Sequence, residues 1–501
     1  MTASAAPGRT ALVDSVRTLL HDTARLYADD PRTRQRLVGQ LERLDEPLRI
    51  AIAGKIKAGK STLLNALVGE QVAATDAGEC TRIVTWYRDG PAPRITIHPE
   101  AGGPVGLPVH RRDGELLVDL NGYPPDAVTR MVIDWPSQGL RAATLIDTPG
   151  TASLSTEISR RALRFLDPDD DTPTEADAVV YLMRQLHASD SEFLEAFRDQ
   201  GVARAASVNT IGVISRADEI GGGRLDAMAS AQSVAQRYRG EPALRGLCQN
   251  FVAVAGLIAQ TARTLRQAEF AMLRELARTP GPDLHELLFT ADRFLADDRQ
   301  AAPLCTLPPD ARRALLQRFG MFGVRLCVAL LHRGTDSAAA LAVELVRQSG
   351  LTELQHVLHN QFAERRDLLK ARSALLALDA VLHADPRSGG AELARAVERI
   401  FAGAHEFAEL RMLGALRSGA VPLPAAVVAD AERLLGEGGA AVRTRLALPP
   451  DAGPVDVRAA AMAALSRWQD LAENPMTPRA ATDTCRVVVR TCEGMLAGAA
   501  R

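Results

Sequence analysis

One stretch near the start of the chain constrains its fold more than any other. Residues 50–67 read I-A-I-A-G-K-I-K-A-G-K-S-T-L-L-N-A-L, an apolar run, a turn and a run with helical spacing. Between the two runs lies the pattern G-x-x-x-x-G-K-[ST], whose defined positions are Gly54, Gly59, Lys60 and Ser61. Glycines let the backbone curl so that its N–H groups point at one phosphate, and the following helix N-terminus adds partial positive charge. The stretch therefore predicts a strand, a phosphate-binding loop and a helix.

The residues of this loop have separate predicted roles. Lys60 would contact the β- and γ-phosphates of a nucleotide, and the Ser61 hydroxyl would bind Mg²⁺. Lysine usage supports this interpretation, because three of the four lysines in the chain lie here and arginine carries the positive charge elsewhere. We expect the whole loop to contact the nucleotide: Gly54, Lys55, Ile56, Lys57, Ala58, Gly59, Lys60, Ser61 and Thr62.

A second motif follows about ninety residues later. Residues 145–150 read L-I-D-T-P-G, which places Asp147 at the end of an apolar strand. Its carboxylate would hold Mg²⁺ through water, and the Gly150 N–H would bind the γ-phosphate and sense its loss. The alternative is that these residues only form a turn at the end of the strand, since Asp, Pro and Gly are common in turns. The position after a phosphate-binding loop favours the metal role.

Two later strand ends carry the predicted base-binding residues. Ser215–Asp218, read S-R-A-D, follows the strand I-G-V-I in the place of the guanine motif [N/T]-K-x-D. Asp218 would accept hydrogen bonds from guanine N1 and N2, whereas adenine offers no such donors, and the Arg216 stem would lie against the base. The alternative is a helix N-cap aspartate. Ala255 and Gly256 end the next strand and would supply a backbone N–H for guanine O6.

A threonine between the loop and Asp147 completes the predicted metal site. Residues 74–88 read A-T-D-A-G-E-C-T-R-I-V-T-W-Y-R. Thr81 is the candidate, with its hydroxyl on Mg²⁺ and its N–H near the γ-phosphate, because a glycine-containing segment before it can order on nucleotide binding. Thr75 and Thr85 are the alternatives, and Thr85 is expected within a strand. The predicted metal ligands are Ser61, Thr81 and Asp147.

Periodicity divides the rest of the chain. Residues 1–46 have helical spacing with a break at Asp29–Pro31, and residues 47–263 alternate strands with helices. Residues 264–501 are rich in Ala, Leu and Arg, with helical spacing alone. The expected fold is an α/β P-loop domain with a mostly parallel sheet flanked by helices. An all-α bundle, built from the N-terminal helices and the C-terminal half, is joined to this domain.

Composition and hydropathy limit the partners. The net charge of −2 over 501 residues provides no global field for nucleic acid. We expect no signal peptide and no transmembrane helix, since no run of 18 uncharged apolar residues occurs. The apolar stretch Phe319–Leu331 includes Arg325. We interpret it as a buried helix of the bundle rather than as a membrane paddle. The uncharged turn Gly419–Ala429 is a candidate membrane tip.

The motifs G-K-I-K-A-G-K-S-T-L-L-N-A-L, G-E-C-T-R-I-V-T-W-Y-R, I-D-T-P-G and S-R-A-D together resemble bacterial dynamin-like proteins. The resemblance is strongest to their mycobacterial isoniazid-inducible group. It implies a GTPase domain, a helical neck joining the first helices to later ones, and a trunk with a membrane-contacting tip. It further implies GTP hydrolysis with Mg²⁺, homo-oligomers or hetero-oligomers with a related dynamin-like protein, and remodelling of the plasma membrane from its cytoplasmic face.

One departure from the family affects the expected mechanism. Dynamins often place a glutamine where this chain has Ile56, and that glutamine positions the attacking water. Lys57 can instead neutralise charge on the β–γ bridge, so the predicted catalytic residues are Lys60, Thr81 and Lys57, with slow basal turnover. Two alternatives remain: a GTP-dependent switch that binds a protein partner, and a low-activity structural partner of a related dynamin-like protein.

Overall fold

The computed structural model describes residues 7–73, 82–112, 114–149, 176–185, 190, 194, 209–296 and 305–499. The strands of this part are β1 Leu48–Gly54, β2 Thr85–Asp89, β3 Arg94–Pro99, β4 Val105–Leu107, β5 His110–Arg112, β6 Glu115–Leu117, β7 Val128–Trp135, β8 Ala143–Asp147, β9 Ala178–Met183, β10 Thr210–Ser215 and β11 Asn250–Val254.

Helices precede the first strand, alternate with later strands and continue alone after β11. Those up to residue 295 are α1 Pro7–Leu26, α2 Pro31–Asp45, α3 Lys60–Val68, α4 Ala227–Gly240, α5 Pro242–Arg245, α6 Gly256–Arg263, α7 Gln267–Ala277, α8 Gly281–Leu287 and α9 Ala291–Leu295. Those that follow are α10 Pro309–His332, α11 Ala338–Gln348, α12 Leu351–Gln361, α13 Arg366–Ala384, α14 Gly390–Gly403, α15 His405–Arg417, α16 Ala425–Leu434, α17 Val442–Arg445, α18 Pro454–Glu473 and α19 Arg479–Ala499.

Nine of the strands form one twisted sheet in the order β11-β10-β9-β1-β8-β2-β7-β3-β4. The strands from β11 to β8 in this order are parallel, β2 is antiparallel to β8, and β3 is antiparallel to β7 and β4. β1 is central and almost entirely buried, which explains why residues 50–53 read as a continuous apolar run. The predicted fold class, a mostly parallel α/β domain with an all-α bundle, is confirmed.

The N-terminal helices pack on helices from the second half of the chain. α1 and α2 contact α13, and α1 also contacts α14. Their shared core includes Leu20, Leu37, Leu375 and Phe401. α2 begins where the sequence predicts a break, because the Asp30 carboxylate accepts hydrogen bonds from the first backbone N–H groups of the helix. The early helical arm is therefore part of a bundle with the C-terminal half.

Helices on both sides of residue 263 cover the sheet. Phe270 of α7 and Phe319 of α10 belong to the same buried cluster as Tyr181 of β9 and Phe251 of β11. α10 is the one described helix long and apolar enough to cross a bilayer, but half of that stretch is buried inside the protein. The interpretation of Phe319–Leu331 as a core helix is confirmed. The division into residues 1–46, 47–263 and 264–501 stays a prediction.

The last helices form a hydrophobic cluster of their own. α15, α16, α18 and α19 surround a core that includes Trp468. Within the candidate tip Gly419–Ala429, Val421 is buried and Leu423, Val427 and Val428 pack against this core, so the larger apolar side chains of the stretch face inward. Its role as a membrane tip stays a prediction. Arg417 at the end of α15 donates hydrogen bonds to backbone carbonyls beside β11, including that of Cys248 at 3.0 Å.

Candidate nucleotide-binding site

The carboxyl ends of the parallel strands bring the sequence motifs to one edge of the sheet. Ile52 of β1 pairs with Asp147 of β8, and Gly54 pairs with Leu182 of β9. β10, parallel to β9, ends at Ser215. Ligands of open parallel sheets bind beyond the carboxyl ends of the strands, so this edge is where a site is expected.

The loop after β1 has backbone angles that explain its sequence. Gly54 has φ +144°, and a Cβ built on it would lie 2.5 Å from the Leu182 carbonyl oxygen, so a side chain here would displace β9. Gly59 has φ +93° and precedes the first residue of α3. Lys57 has φ +62°, a conformation that non-glycine residues adopt at a cost and that is concentrated at functional sites.

Lys60 points back into the loop that it follows. Its buried Nζ donates hydrogen bonds to the carbonyl oxygens of Gly54 at 3.2 Å and Lys55 at 3.4 Å. Burial lowers the pKa of Lys60, and the nearby Asp147 carboxylate opposes this shift. The ammonium group is thus held, partly desolvated, at the centre of the loop, where a phosphate group would compensate its charge.

Ser61 and Asp147, two of the three predicted metal ligands, are in direct contact. Ser61 Oγ donates a hydrogen bond of 3.0 Å to Asp147 Oδ2. The other carboxylate oxygen, Oδ1, is buried and has no hydrogen-bond partner among the described residues. Burial raises the pKa of Asp147, while Lys60 and Ser61 oppose the shift. A hydroxyl beside a carboxylate oxygen that lacks a partner suits Mg²⁺ and its bound water.

The switch residues cannot be placed in the same way. Thr81, its rival Thr75 and Gly150 all lie outside the described residues, and their assigned roles stay predictions. Thr85 is described: it is buried at the start of β2, and its hydroxyl donates to the Ile83 carbonyl oxygen at 3.1 Å. Thr85 therefore lies in a strand, as expected.

A cavity of about 160 Å³ lies between the phosphate-binding loop and the ends of β10 and β11. It joins residues from three motifs that are distant in the sequence. Its lining residues are Ala58, Gly59, Thr62, Leu63, Leu182, Val213, Ser215, Arg216, Asp218, Glu219, Val254, Gly256 and Leu257.

The S-R-A-D segment forms one wall of this cavity. Asp218 is buried, which raises the pKa of its carboxyl group, and it lies inside the short 3₁₀ helix Ala217–Gly222 rather than at its N-cap. Ser215 Oγ donates to the Met183 carbonyl oxygen at 3.2 Å. Arg216 has φ +51°, and its guanidinium donates to Glu219 Oε1 at 2.7 Å. Glu219 thus holds the arginine that stands where the guanine motif has lysine.

The two residues predicted to contact the base at the β11 end differ in their surroundings. The Ala255 N–H donates to the Ser349 carbonyl oxygen at 2.9 Å, and Ala255 does not line the cavity. Gly256 does line it, and as the first residue of α6 it has an N–H that the helix itself does not use. Of the pair, Gly256 is therefore the residue placed to contact a base.

Sequence reasoning missed an ion pair behind the loop, between the partly exposed Lys55 and a buried aspartate. Lys55 Nζ lies 3.0 Å from Asp190 Oδ2, and the Tyr181 hydroxyl donates to Asp190 Oδ1 at 2.8 Å. The side chain of Lys55, a residue expected to contact nucleotide, is paired with this carboxylate, and the expected contact stays a prediction. No spacing rule connects Asp190 with the loop, and Tyr181 reads as one more apolar residue of β9, so nothing in the sequence indicates the pair.

Comparisons with known proteins agree with this geometry. Residues 49–210 match the family model described as "50S ribosome-binding GTPase". The isoniazid-induced protein IniC of Mycobacterium tuberculosis is 44% identical over 492 residues, which cover 97% of this chain and 98% of that protein. The chain belongs to the IniC family.

Two further relatives place the IniC family among dynamin-like GTPases. The isoniazid-induced protein IniA of M. tuberculosis is 32% identical over 159 residues, which cover 29% of this chain and 23% of IniA. A bacterial dynamin-like protein of Nostoc punctiforme is 46% identical over 50 residues, 10% of this chain and 7% of that protein. This member of the IniC family is a dynamin-like protein with a GTPase domain, and the resemblance read from its motifs is confirmed.

Proposed function

We propose that this protein binds GTP and hydrolyses it with Mg²⁺. The observation that carries the proposal is the buried Asp218 carboxylate in a cavity whose opposite wall is the phosphate-binding loop. A carboxylate there accepts hydrogen bonds from the N1 and N2 groups of guanine. Adenine would leave the carboxylate buried without donors, which disfavours ATP.

The residues of the loop supply most of the proposed chemistry. Lys60 and the N–H groups between Gly54 and Ser61 stabilise negative charge on the phosphates as water attacks the γ-phosphate. When bound, Mg²⁺ would neutralise phosphate charge, held by Ser61 and Thr81 and through water by Asp147. Lys57, next to the exposed Ile56, neutralises negative charge on the oxygen that bridges the β- and γ-phosphates. Since Ile56 cannot position water, we propose that basal turnover is slow.

Turnover of GTP and ATP by the purified full-length protein tests this proposal, with Lys60→Ala as the inactive reference. We expect hydrolysis of GTP that is at least ten times faster than that of ATP and is lost when Mg²⁺ is chelated. Equal rates for the two nucleotides would refute guanine recognition. Rates of the wild type no higher than those of Lys60→Ala would refute the enzymatic proposal and favour a structural subunit.

We propose further that the protein self-associates, or assembles with a related dynamin-like protein, and remodels membrane as a peripheral protein on the inner face of the plasma membrane. One exposed apolar side chain at the tip of the α18–α19 hairpin supports membrane contact. Met476, in the turn between the two helices, is 87% exposed. Apolar side chains so exposed are suited to insertion among lipids.

Co-sedimentation with anionic vesicles tests the membrane proposal. Met476→Glu should weaken vesicle binding, because a carboxylate is costly to bury in lipid. Val343→Glu is the matched control, since Val343 is 70% exposed on α11, outside the hairpin. GTP turnover is measured over a range of protein concentrations in the same samples. Turnover that stays flat, without vesicle binding, would favour a GTP-dependent switch that binds a protein.

A further inference from the structure

The apolar helix α10 contains one arginine that reaches two loops. Arg325 Nη1 donates hydrogen bonds to the carbonyl oxygens of Gly223 at 2.6 Å and Gly222 at 3.3 Å. On its other side, Nε donates to the Leu288 carbonyl oxygen at 2.9 Å and Nη2 to that of Phe289 at 2.8 Å. The planar guanidinium thus joins the loop after the base-binding segment to the loop after α8.

The loop that Arg325 holds lies close to the backbone of Asp218. Gly221, Gly222 and Gly223 all have left-handed backbone, with φ between +64° and +74°. A Cβ on Gly223 would lie 3.4 Å from the Asp218 carbonyl oxygen and 3.5 Å from the Phe322 nitrogen of α10. Three consecutive glycines have many conformations open to them, so external hydrogen bonds are needed to hold this loop in one of them.

A second contact joins the same helix to the base cavity. α10 is interrupted at Gly320, which has φ +63°, and a Cβ there would lie 3.6 Å from Cδ2 of Leu257. Leu257 lines the cavity opposite the Asp218 segment. The part of α10 from Gly320 to Arg325 therefore lies against Leu257 of the cavity wall and against the loop that follows Asp218, although it comes after the last described strand.

We infer that Arg325 is a positioning residue for guanine recognition, fixing the Gly222–Gly223 loop so that Asp218 faces the base. The inference rests on the proposed binding of guanine nucleotides. Hydrogen bonds from a charged donor are about twice as strong as neutral ones, so losing them frees the loop. Affinity then falls with the fraction of molecules in which Asp218 is correctly placed.

The test measures the dissociation constants of GDP, IDP and ADP for purified full-length variants. IDP lacks the 2-amino group of guanine but keeps N1–H, so the ratio of GDP to IDP affinity reports on the proposed hydrogen bond between that amino group and Asp218. We expect Arg325→Gln to weaken GDP binding about tenfold and to bring that ratio towards one. Arg325→Lys keeps the positive charge but loses the planar set of N–H donors. It should therefore change the GDP affinity and the ratio in the same direction, but less.

Arg318→Gln is the matched control. Arg318 lies on the same helix and is partly buried, with hydrogen bonds to Glu269 and to Thr264 away from the cavity. Its loss should lower the melting temperature without changing the ratio of GDP to IDP affinity. If Arg325→Gln does not fold, Gly223→Ala tests the same loop, because alanine at φ +70° strains the backbone behind Asp218.

The outcomes separate this inference from the proposed function. A wild-type protein that fails to bind GDP would overturn both. Wild-type preference for GDP that persists unchanged in Arg325→Gln and Arg325→Lys, or in Gly223→Ala where Arg325→Gln does not fold, would overturn the inference alone. A ratio that falls equally in Arg318→Gln would also overturn it, since the effect would then come from loosened packing of α10.

Discussion

Ser61 Oγ and Asp147 Oδ2 are joined by a hydrogen bond of 3.0 Å between residues 86 apart in the chain. The contact arises because β1 and β8 are adjacent and parallel, so the loop after one strand meets the end of the other. Asp147 Oδ1 remains without a described partner, and burial disfavours the charged carboxylate. A cation placed here would compensate that charge.

Removing either partner should abolish magnesium-dependent turnover. We expect Asp147→Asn and Ser61→Ala each to lower GTP turnover at least a hundredfold, because charge on the phosphates is then poorly compensated. Ser233→Ala, on an exposed face of α4, is the control. Rates are measured across a magnesium titration. Variants that regain wild-type rates at ordinary magnesium concentrations would contradict the assignment of these two ligands.

Asp218→Asn should change which base is bound. Asparagine can accept a hydrogen bond from N1 and donate one to an oxygen at position 2, which xanthine has and guanine lacks. We expect weaker binding of GTP by at least tenfold and measurable turnover of XTP. Competition between the two nucleotides measures the change. Unaltered preference for GTP would show that Asp218 does not contact the base.

Ile56→Gln should raise basal turnover. The Ile56 side chain is 53% exposed on the phosphate-binding loop, so glutamine fits there without disturbing the core. An amide at this position can hydrogen-bond the attacking water, and we expect a several-fold increase in kcat with little change in KM. Ile56→Leu is the apolar control. If both variants behave alike, the lack of a polar group at this position does not limit hydrolysis.

Lys370 should make stability depend on alkaline pH. Its Nζ is buried 4.0 Å from Asp177 Oδ2 and donates to the Arg43 carbonyl oxygen. Burial lowers the pKa of Lys370 from its ordinary 10.5 to about 8. Between these values the unfolded chain binds more protons than the folded protein, so the free energy of unfolding rises with pH.

Urea unfolding of the wild type and Lys370→Met at several pH values measures this dependence. Relative to the variant, the wild type should gain up to about 1.4 kcal/mol per pH unit between pH 8 and pH 10. Other groups that titrate in this range contribute to both proteins and cancel in the difference. Parallel pH profiles would mean that Lys370 is not desolvated in the folded protein.

The phosphate-binding loop and the elements around it could be predicted from the sequence because their determinants are local. Gly54 and Gly59 carry the positive φ angles, and α3 begins at Lys60. Asp147 likewise follows an apolar strand, and parallel pairing places it beside the loop. Breaks between helices could also be predicted from local residues. An example is the start of α2, where Asp30 is the N-cap and Pro31 is the first residue.

Interactions between distant segments could not be predicted in this way. The sequence contains the strand end at Ala255, but whether its N–H is available depends on Ser349, which tertiary packing places against it. The pairing of Lys55 with Asp190 is of the same kind. No periodicity or spacing encodes which side chain from another segment will satisfy a given polar group.

By itself, the sequence determined the strand, loop and helix of the phosphate-binding motif, the division between an α/β part and a helical part, and the family. The tertiary structure decided which residues line the cavity beside the loop, that Arg325 of a later helix holds the loop after Asp218, and that Val421 and Leu423 pack inward. The reason is physical. Backbone geometry in a turn follows from its own few residues, whereas burial and long-range hydrogen bonds follow from how whole helices pack on the sheet.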